Sequence, residues 1–98
     1  MTVLTHFELQ VDPSRLAEAL AVLDRILDDT RAFAGNQGVT VAQDEADPAH
    51  VLVIAEWDAA EHHDAYLAWR AGEGAVPELP GLLAEEPGGA RFTVTSIR

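Results

Sequence analysis

Cysteine does not occur in this 98-residue chain. Disulfides, thiolate nucleophiles, zinc–thiolate sites and iron–sulfur clusters are therefore excluded. Lysine is missing as well; the six basic side chains are all arginine, against seventeen acidic ones, for a formal net charge of −11. Nucleic acid and membrane surfaces need concentrated positive charge, so neither is an expected partner. Serine appears only at Ser14 and Ser96, neither in a nucleophile setting, which disfavours a hydrolase triad. No glycine-rich nucleotide loop is present. No apolar run approaches the roughly 20 residues of a membrane span, and no leader pattern opens the chain, so a soluble cytoplasmic protein is expected. A chain of this length buries roughly 60–65% of its unfolded surface, enough for one domain, residues 1–98, around a modest core.

What is present reads as alternating strands and helices. Val3 to Val11 alternates, with Val3, Thr5, Phe7, Leu9 and Val11 on one face and Leu4, His6, Glu8 and Gln10 on the other. Asp12-Pro13 then supplies an N-cap and a first-turn proline. Leu16, Leu20, Leu23, Ile26, Leu27 and Thr30 recur at three- and four-residue steps, giving an amphipathic helix that ends before Gly35. Gly38 to Gln43 is a second strand and Asp44 to Ala49 a hairpin loop. His50 to Trp57 is a third strand, and Ala59 to Arg70 a second helix ended by Gly72, Gly74 and Pro77. Pro80 to Glu85 reads as a short helix, Gly88-Gly89 as a turn, and Arg91 to Ile97 as the last strand.

The order strand, helix, strand, strand, helix, strand is the ferredoxin-like split βαβ arrangement, an α+β fold with an antiparallel sheet. Its right-handed crossovers put the first and third strands in the centre and both helices on one face. The third strand is continuously apolar through Val51-Leu52-Val53-Ile54-Ala55. Its odd residues can face the helices, but Leu52 and Ile54 need cover from the other side. A second copy, sheet against sheet, supplies it, so a homodimer forming a dimeric α+β barrel is expected.

At 100° per residue, Ala59, His63, Tyr66, Leu67 and Arg70 share one face of the second helix, with His62 and Trp69 at its flank. This face is polar and aromatic for a surface that should meet a sheet. Opposite it fall Phe7, Val53, Ala55 and Trp57. Together these residues can line a mainly apolar cavity with a few polar handles, the usual composition of a small-molecule site. Asp58 and His62 lie four apart, but two ligands of common types make a weak metal signal, and no metal is expected.

Glu56-Trp57 ending the third strand, then Asp58-Ala59-Ala60-Glu61, then Asp64-Ala65 with an aromatic at Tyr66, together resemble the antibiotic biosynthesis monooxygenase family of dimeric α+β barrels. The long first helix and Thr30-Arg31 before a glycine turn fit the same family. Its members include cofactor-free oxygenases of aromatic polyketides, quinol monooxygenases and haem-degrading enzymes. Where the haem-degrading branch has an asparagine, a tryptophan and a histidine, this chain has Phe7, Trp57 and Tyr66, which argues against haem.

The resemblance implies a cofactor-independent monooxygenase that oxidises a phenol, a quinol or a polyketide-like ring with O2. Such a protein binds a flat ring, removes a proton, stabilises the oxyanion and excludes water. On that reading His63 is the base, and Tyr66 and the Trp57 indole donate to the oxyanion. Phe7, Phe33 and Phe92 pack against the ring. Val53, Ala55, Leu67, Trp69 and Arg70 complete the substrate site. His6 is expected on the dimer side, and Arg31 and Arg91 in surface or salt-bridge roles. The alternative is a non-catalytic dimeric barrel that binds a small molecule or only assembles.

Overall fold

A computed structural model describes residues 2–97. The elements are β1 (Val3–Gln10), α1 (Leu16–Ala32), β2 (Asn36–Gln43), β3 (His50–Trp57), α2 (Ala60–Arg70) and β4 (Gly88–Thr93). Single 3-10 turns at Pro13–Arg15 and Pro80–Leu82 precede α1 and β4. The strands form one antiparallel sheet in the order β2-β3-β1-β4, a ferredoxin-like α+β fold. No helix of the described residues is long and apolar enough to cross a membrane.

Asp12 begins the first crossover by accepting hydrogen bonds from the Ser14 amide and hydroxyl at 3.0 and 2.8 Å, so the proline turn forms before α1. α1 then buries Ala19, Leu23, Ile26, Leu27 and Thr30. The four aliphatic ones pack on Leu9, Val51 and Val53 from the central strands and on Val11 just beyond β1. Full burial of such aliphatic side chains contributes about 1.5–3 kcal/mol each. At the other end of the sheet a smaller cluster forms from Val3, Ala55 and Trp57, with Phe33, Ala60 and Tyr66 against it. Both helices thus sit on the face of the odd-numbered residues of β1 and β3. Leu4, His6, Leu52 and Ile54 occupy the opposite face, which no element of the described residues covers.

The C-terminal third departs from the expected boundaries. β4 covers Gly88–Thr93, not Arg91–Ile97, and Gly88-Gly89 pairs with Glu8 and Phe7 where a turn was expected. The reason lies in the partner: β1 begins at Val3, opposite Thr93, so residues beyond Val94 have no strand left to pair with. Pro80–Leu82 makes one 3-10 turn, shorter than the expected helix, and buries Leu82. β2 starts two residues early, at Asn36, through an irregularity between Asn36 and Gly38.

Candidate functional site

α2 buries none of its residues fully. Its inner face carries His63, Tyr66 and Arg70 where α1 carries leucines, and polar groups cannot be pressed into a sheet without partners. The helix therefore stands off, and a cavity of about 780 Å³ remains between it, α1 and the sheet. Thr5, Phe7, Val53, Ala55 and Trp57 form its floor; Leu23, Ile26, Leu27 and Thr30 form the α1 wall. His63, Asp64, Tyr66, Leu67 and Arg70 form the α2 wall, and residues from the segments after α2, among them Val76, Leu79, Leu83 and Arg91, border a cavity that stays partly open. A volume of this size is typical of small-molecule sites.

The structure brings together eight of the residues picked out by sequence: Phe7, Val53, Ala55, Trp57, His63, Tyr66, Leu67 and Arg70 all line this cavity. Three do not reach it. Phe92 pairs with Leu4 across β1 and β4, which turns it to the uncovered sheet face, where its ring meets His6 at 5.2 Å. Phe33 and Trp69 stand behind Tyr66, with ring centroids 5.4 and 6.1 Å from it. Trp69 lies against Gly74, where an added Cβ would come within 2.4 Å of the indole. His62, at the flank, packs on Gly35, which has φ +87 and no room for a Cβ beside the imidazole. Gly35 lets the first turn of α2 come close to the start of β2, and Gly74 lets the chain after α2 fold back onto Trp69.

Trp57 is 1% exposed, and its indole N–H has no hydrogen-bond partner. Buried donors are nearly always paired; among the described residues Asn36 Nδ2 and His62 Nδ1 are also buried without a partner. Tyr66 is bound on two sides: its hydroxyl is 2.8 Å from the Thr30 hydroxyl and accepts from Arg70 Nε at 2.8 Å. Arg70 also donates to the Gly74 carbonyl at 3.0 Å and the Ile26 carbonyl at 2.8 Å, tying α2 to α1. Its guanidinium lies 4.7 Å from the Trp69 ring.

His63 lies beside Trp57 with ring centroids 5.6 Å apart and the rings tilted by 47°. Burial holds its pKa below the usual imidazole value, and the Arg91 charge adds to the effect, while Asp64 opposes it. The ring is therefore neutral at neutral pH. Arg91 reaches His63 Nδ1 at 3.3 Å and pairs with Asp64 at 2.7 Å. An arginine can only donate, so Nδ1 is the unprotonated nitrogen and Nε2 carries the proton. Proton abstraction by Nδ1 requires the long Arg91 contact to give way.

Sequence reasoning gave no site role to Thr30 or Arg91. Thr30 was visible as the polar member of an otherwise aliphatic stripe. Arg91, expected in a surface or salt-bridge role, forms that ion pair and also borders the cavity. Among the described residues, no group of three or more histidine or acidic side chains is placed to hold a metal.

A ferredoxin-like sheet with a mainly apolar cavity under its helices, lined by an indole, a phenol, an imidazole and a guanidinium, defines an α+β domain with an internal cavity. Comparison with known proteins makes the assignment more particular. The antibiotic biosynthesis monooxygenase model matches residues 2–78, and the chain belongs to that family. Among solved structures, a conserved protein from Methanosarcina mazei Go1 superposes with a TM-score of 0.84 at 17% identity, covering 94% of this chain and 91% of that one. An antibiotic biosynthesis monooxygenase aligns with a TM-score of 0.82 at 16% identity over 95% and 98% of the two chains. A mutant of SnoaB, a cofactor-independent oxygenase from Streptomyces nogalater, gives a TM-score of 0.83 at 18% identity over 98% and 95%. At such identities the likeness establishes the fold alone. None of the curated proteins compared with the chain matches it in sequence.

Proposed function

We propose that this protein is a cofactor-independent monooxygenase that binds a phenol or hydroquinone ring in the α2 cavity and oxidises it with O2. The observation that carries the reading is the largely apolar cavity lined by Trp57, whose buried indole N–H is unpartnered, together with Tyr66, Arg70 and a His63 whose pKa is held down by burial. Family membership supports the reaction class. In the simplest case a phenol plus O2 gives a quinone plus water. The ring loses four electrons, one oxygen atom enters it, and the other leaves as water. His63 removes the phenolic proton and the resulting anion reduces oxygen directly. Trp57 and Tyr66 hold the oxyanion, and Phe7, Val53, Ala55 and Leu67 seat the ring and exclude water. The protein works in the cytoplasm as a homodimer joined through Leu4, Leu52, Ile54 and Phe92. These four apolar side chains form a patch that no element of the described residues covers, with Phe92 49% exposed.

A second reading has its own support. The Tyr66 hydroxyl and His63 Nδ1 already have protein partners, as they would in a site that holds a ligand without turning it over. An oxygen electrode separates the two. Metal-free protein given a panel of quinols and anthrones should consume oxygen with at least one of them. Tyr66→Phe and His63→Ala should each slow uptake by about 100-fold while the protein keeps its assembly state. Unchanged rates in both variants would remove these residues from the mechanism. Ligand binding without oxygen consumption would favour the second reading.

A further inference from the structure

The hydrogen bonds around Tyr66 fix the direction of one proton. A guanidinium carries donors only. Arg70 Nε donates to the Tyr66 oxygen at 2.8 Å and Arg70 Nη2 to the Thr30 oxygen at 3.0 Å, so both hydroxyl oxygens are acceptors towards Arg70. The two oxygens lie 2.8 Å apart. The line between them holds one proton, but the two hydroxyls bring two. Should the Tyr66 proton fill the line, the Thr30 proton would have no acceptor among the described residues, in a side chain that borders the cavity but is only 3% exposed. An unmade hydrogen bond in such a place is costly. With the Thr30 proton in the line, the Tyr66 proton is free to turn into the cavity that Tyr66 lines.

We propose that Thr30 is a positioning residue: with Arg70, it holds Tyr66 as a donor aimed into the cavity, so that the site takes its aromatic ligand through an acceptor oxygen and prefers the ionised phenolate. This rests on the reading of the cavity as a phenol site. A phenol oxygen that accepts two hydrogen bonds, one of them from a cation, is itself a stronger donor. Among the described residues no carboxylate pairs with Arg70; the ion-paired arginines are Arg15, Arg25, Arg31 and Arg91. The Arg70 charge is thus left for a ligand oxyanion to balance. The other titratable groups bordering the cavity are His63, Asp64 and Arg91, with His6 at the edge. None of these hydrogen-bonds to the Tyr66 hydroxyl, and Asp64 is occupied by Arg91.

The probe for the test is 4-nitrophenol, whose visible absorbance distinguishes phenol from phenolate. Wild-type protein should bind it as the phenolate and lower the pH at which the bound probe ionises. Thr30→Val matches the side-chain shape but lacks the hydroxyl. It should weaken phenolate binding roughly three- to tenfold and return the bound probe's ionisation towards that of the free compound. Thr30→Ser should restore both quantities, which a purely structural role would not require. Equal affinity and equal ionisation in wild type and Thr30→Val would overturn the inference. Should the valine variant not fold, Tyr66→Phe decides in its place: full retention of the ionisation shift would overturn it. Wild-type protein that binds only neutral nitrophenol would defeat this inference alone. Wild-type protein that binds no nitrophenol would defeat the phenol-site reading and this inference with it.

Discussion

The two ends of this small core are built on different rules. Under α1, Leu9, Val11, Leu23, Leu27, Val51 and Leu82 are nearly or fully buried, and every inward position is aliphatic apart from Thr30. Under α2, Trp57 alone is large and fully buried, and the helix above it presents an imidazole, a phenol and a guanidinium. One helix closes on the sheet because its stripe can be desolvated without loss. The other cannot close, because its polar groups need partners that the sheet does not offer. The cavity follows from that mismatch. Aliphatic packing is concentrated at one end and the polar and aromatic side chains at the other, although both ends share a single sheet.

The sharpest way to break this comparison is to cut the same side chain at each end. Leu9→Ala, fully buried under α1 and away from the cavity, should cost about 2–5 kcal/mol in denaturant unfolding. Leu67→Ala, on a residue 49% exposed at the cavity wall, should cost less than about 1 kcal/mol. Similar losses from the two changes would mean that the α2 half is as tightly packed as the other.

The next effect concerns the uncovered sheet face. Ile54→Asp puts a charge where the proposed dimer buries apolar surface, and an unpaired buried charge is costly. Size-exclusion chromatography with light scattering should show monomer, or the protein should be insoluble. A soluble dimer carrying Asp at that position would place the interface elsewhere.

The smallest effect is one of pH. His50 lies between Asp44 at 3.0 Å and Glu8 at 2.7 Å. Hydrogen bonds to these carboxylates, Asp44 first, raise its pKa above the ordinary value, while Asp44 is itself held below its own. The folded pKa of His50 exceeds the unfolded one. Its stabilising contribution is therefore complete below about pH 6.5 and disappears as pH rises through the folded value. His50→Gln should flatten a modest decline in melting temperature across that window. An unaltered pH profile would show that the cluster contributes nothing. His63 behaves in the opposite sense. With its pKa depressed by burial, it keeps its base form through neutrality, so the acid limb of the oxidation rate should lie below about pH 6.5.

Much of this arrangement was legible in the chain itself. The α1 stripe and the alternation of β1 carry strong periodic signals, and the third strand is apolar on both faces, so the strand order and the helix-covered face follow. The face of α2 was also readable, because His63, Tyr66, Leu67 and Arg70 share it by angle alone. The last strand was not readable in this way. Two glycines look like a turn, and only the position of Val3 decides where pairing stops. That displacement hid the side of the sheet to which Phe92 belongs. Phe33 and Trp69 were grouped with the cavity because aromatic character does not report direction; Gly74, which receives the Trp69 ring, makes that packing possible. Thr30 was visible as a polar interruption, but its meaning depends on Tyr66, thirty-six residues further along.

The central claim is that a flat phenolic guest enters the chamber beside Trp57. Fluorescence titration of Trp69→Phe protein, in which Trp57 is the remaining indole, with a simple hydroquinone under nitrogen tests this most directly. The account predicts a saturable change in Trp57 emission that competing 4-nitrophenol reverses. Emission that stays constant up to the solubility limit of the hydroquinone would contradict it.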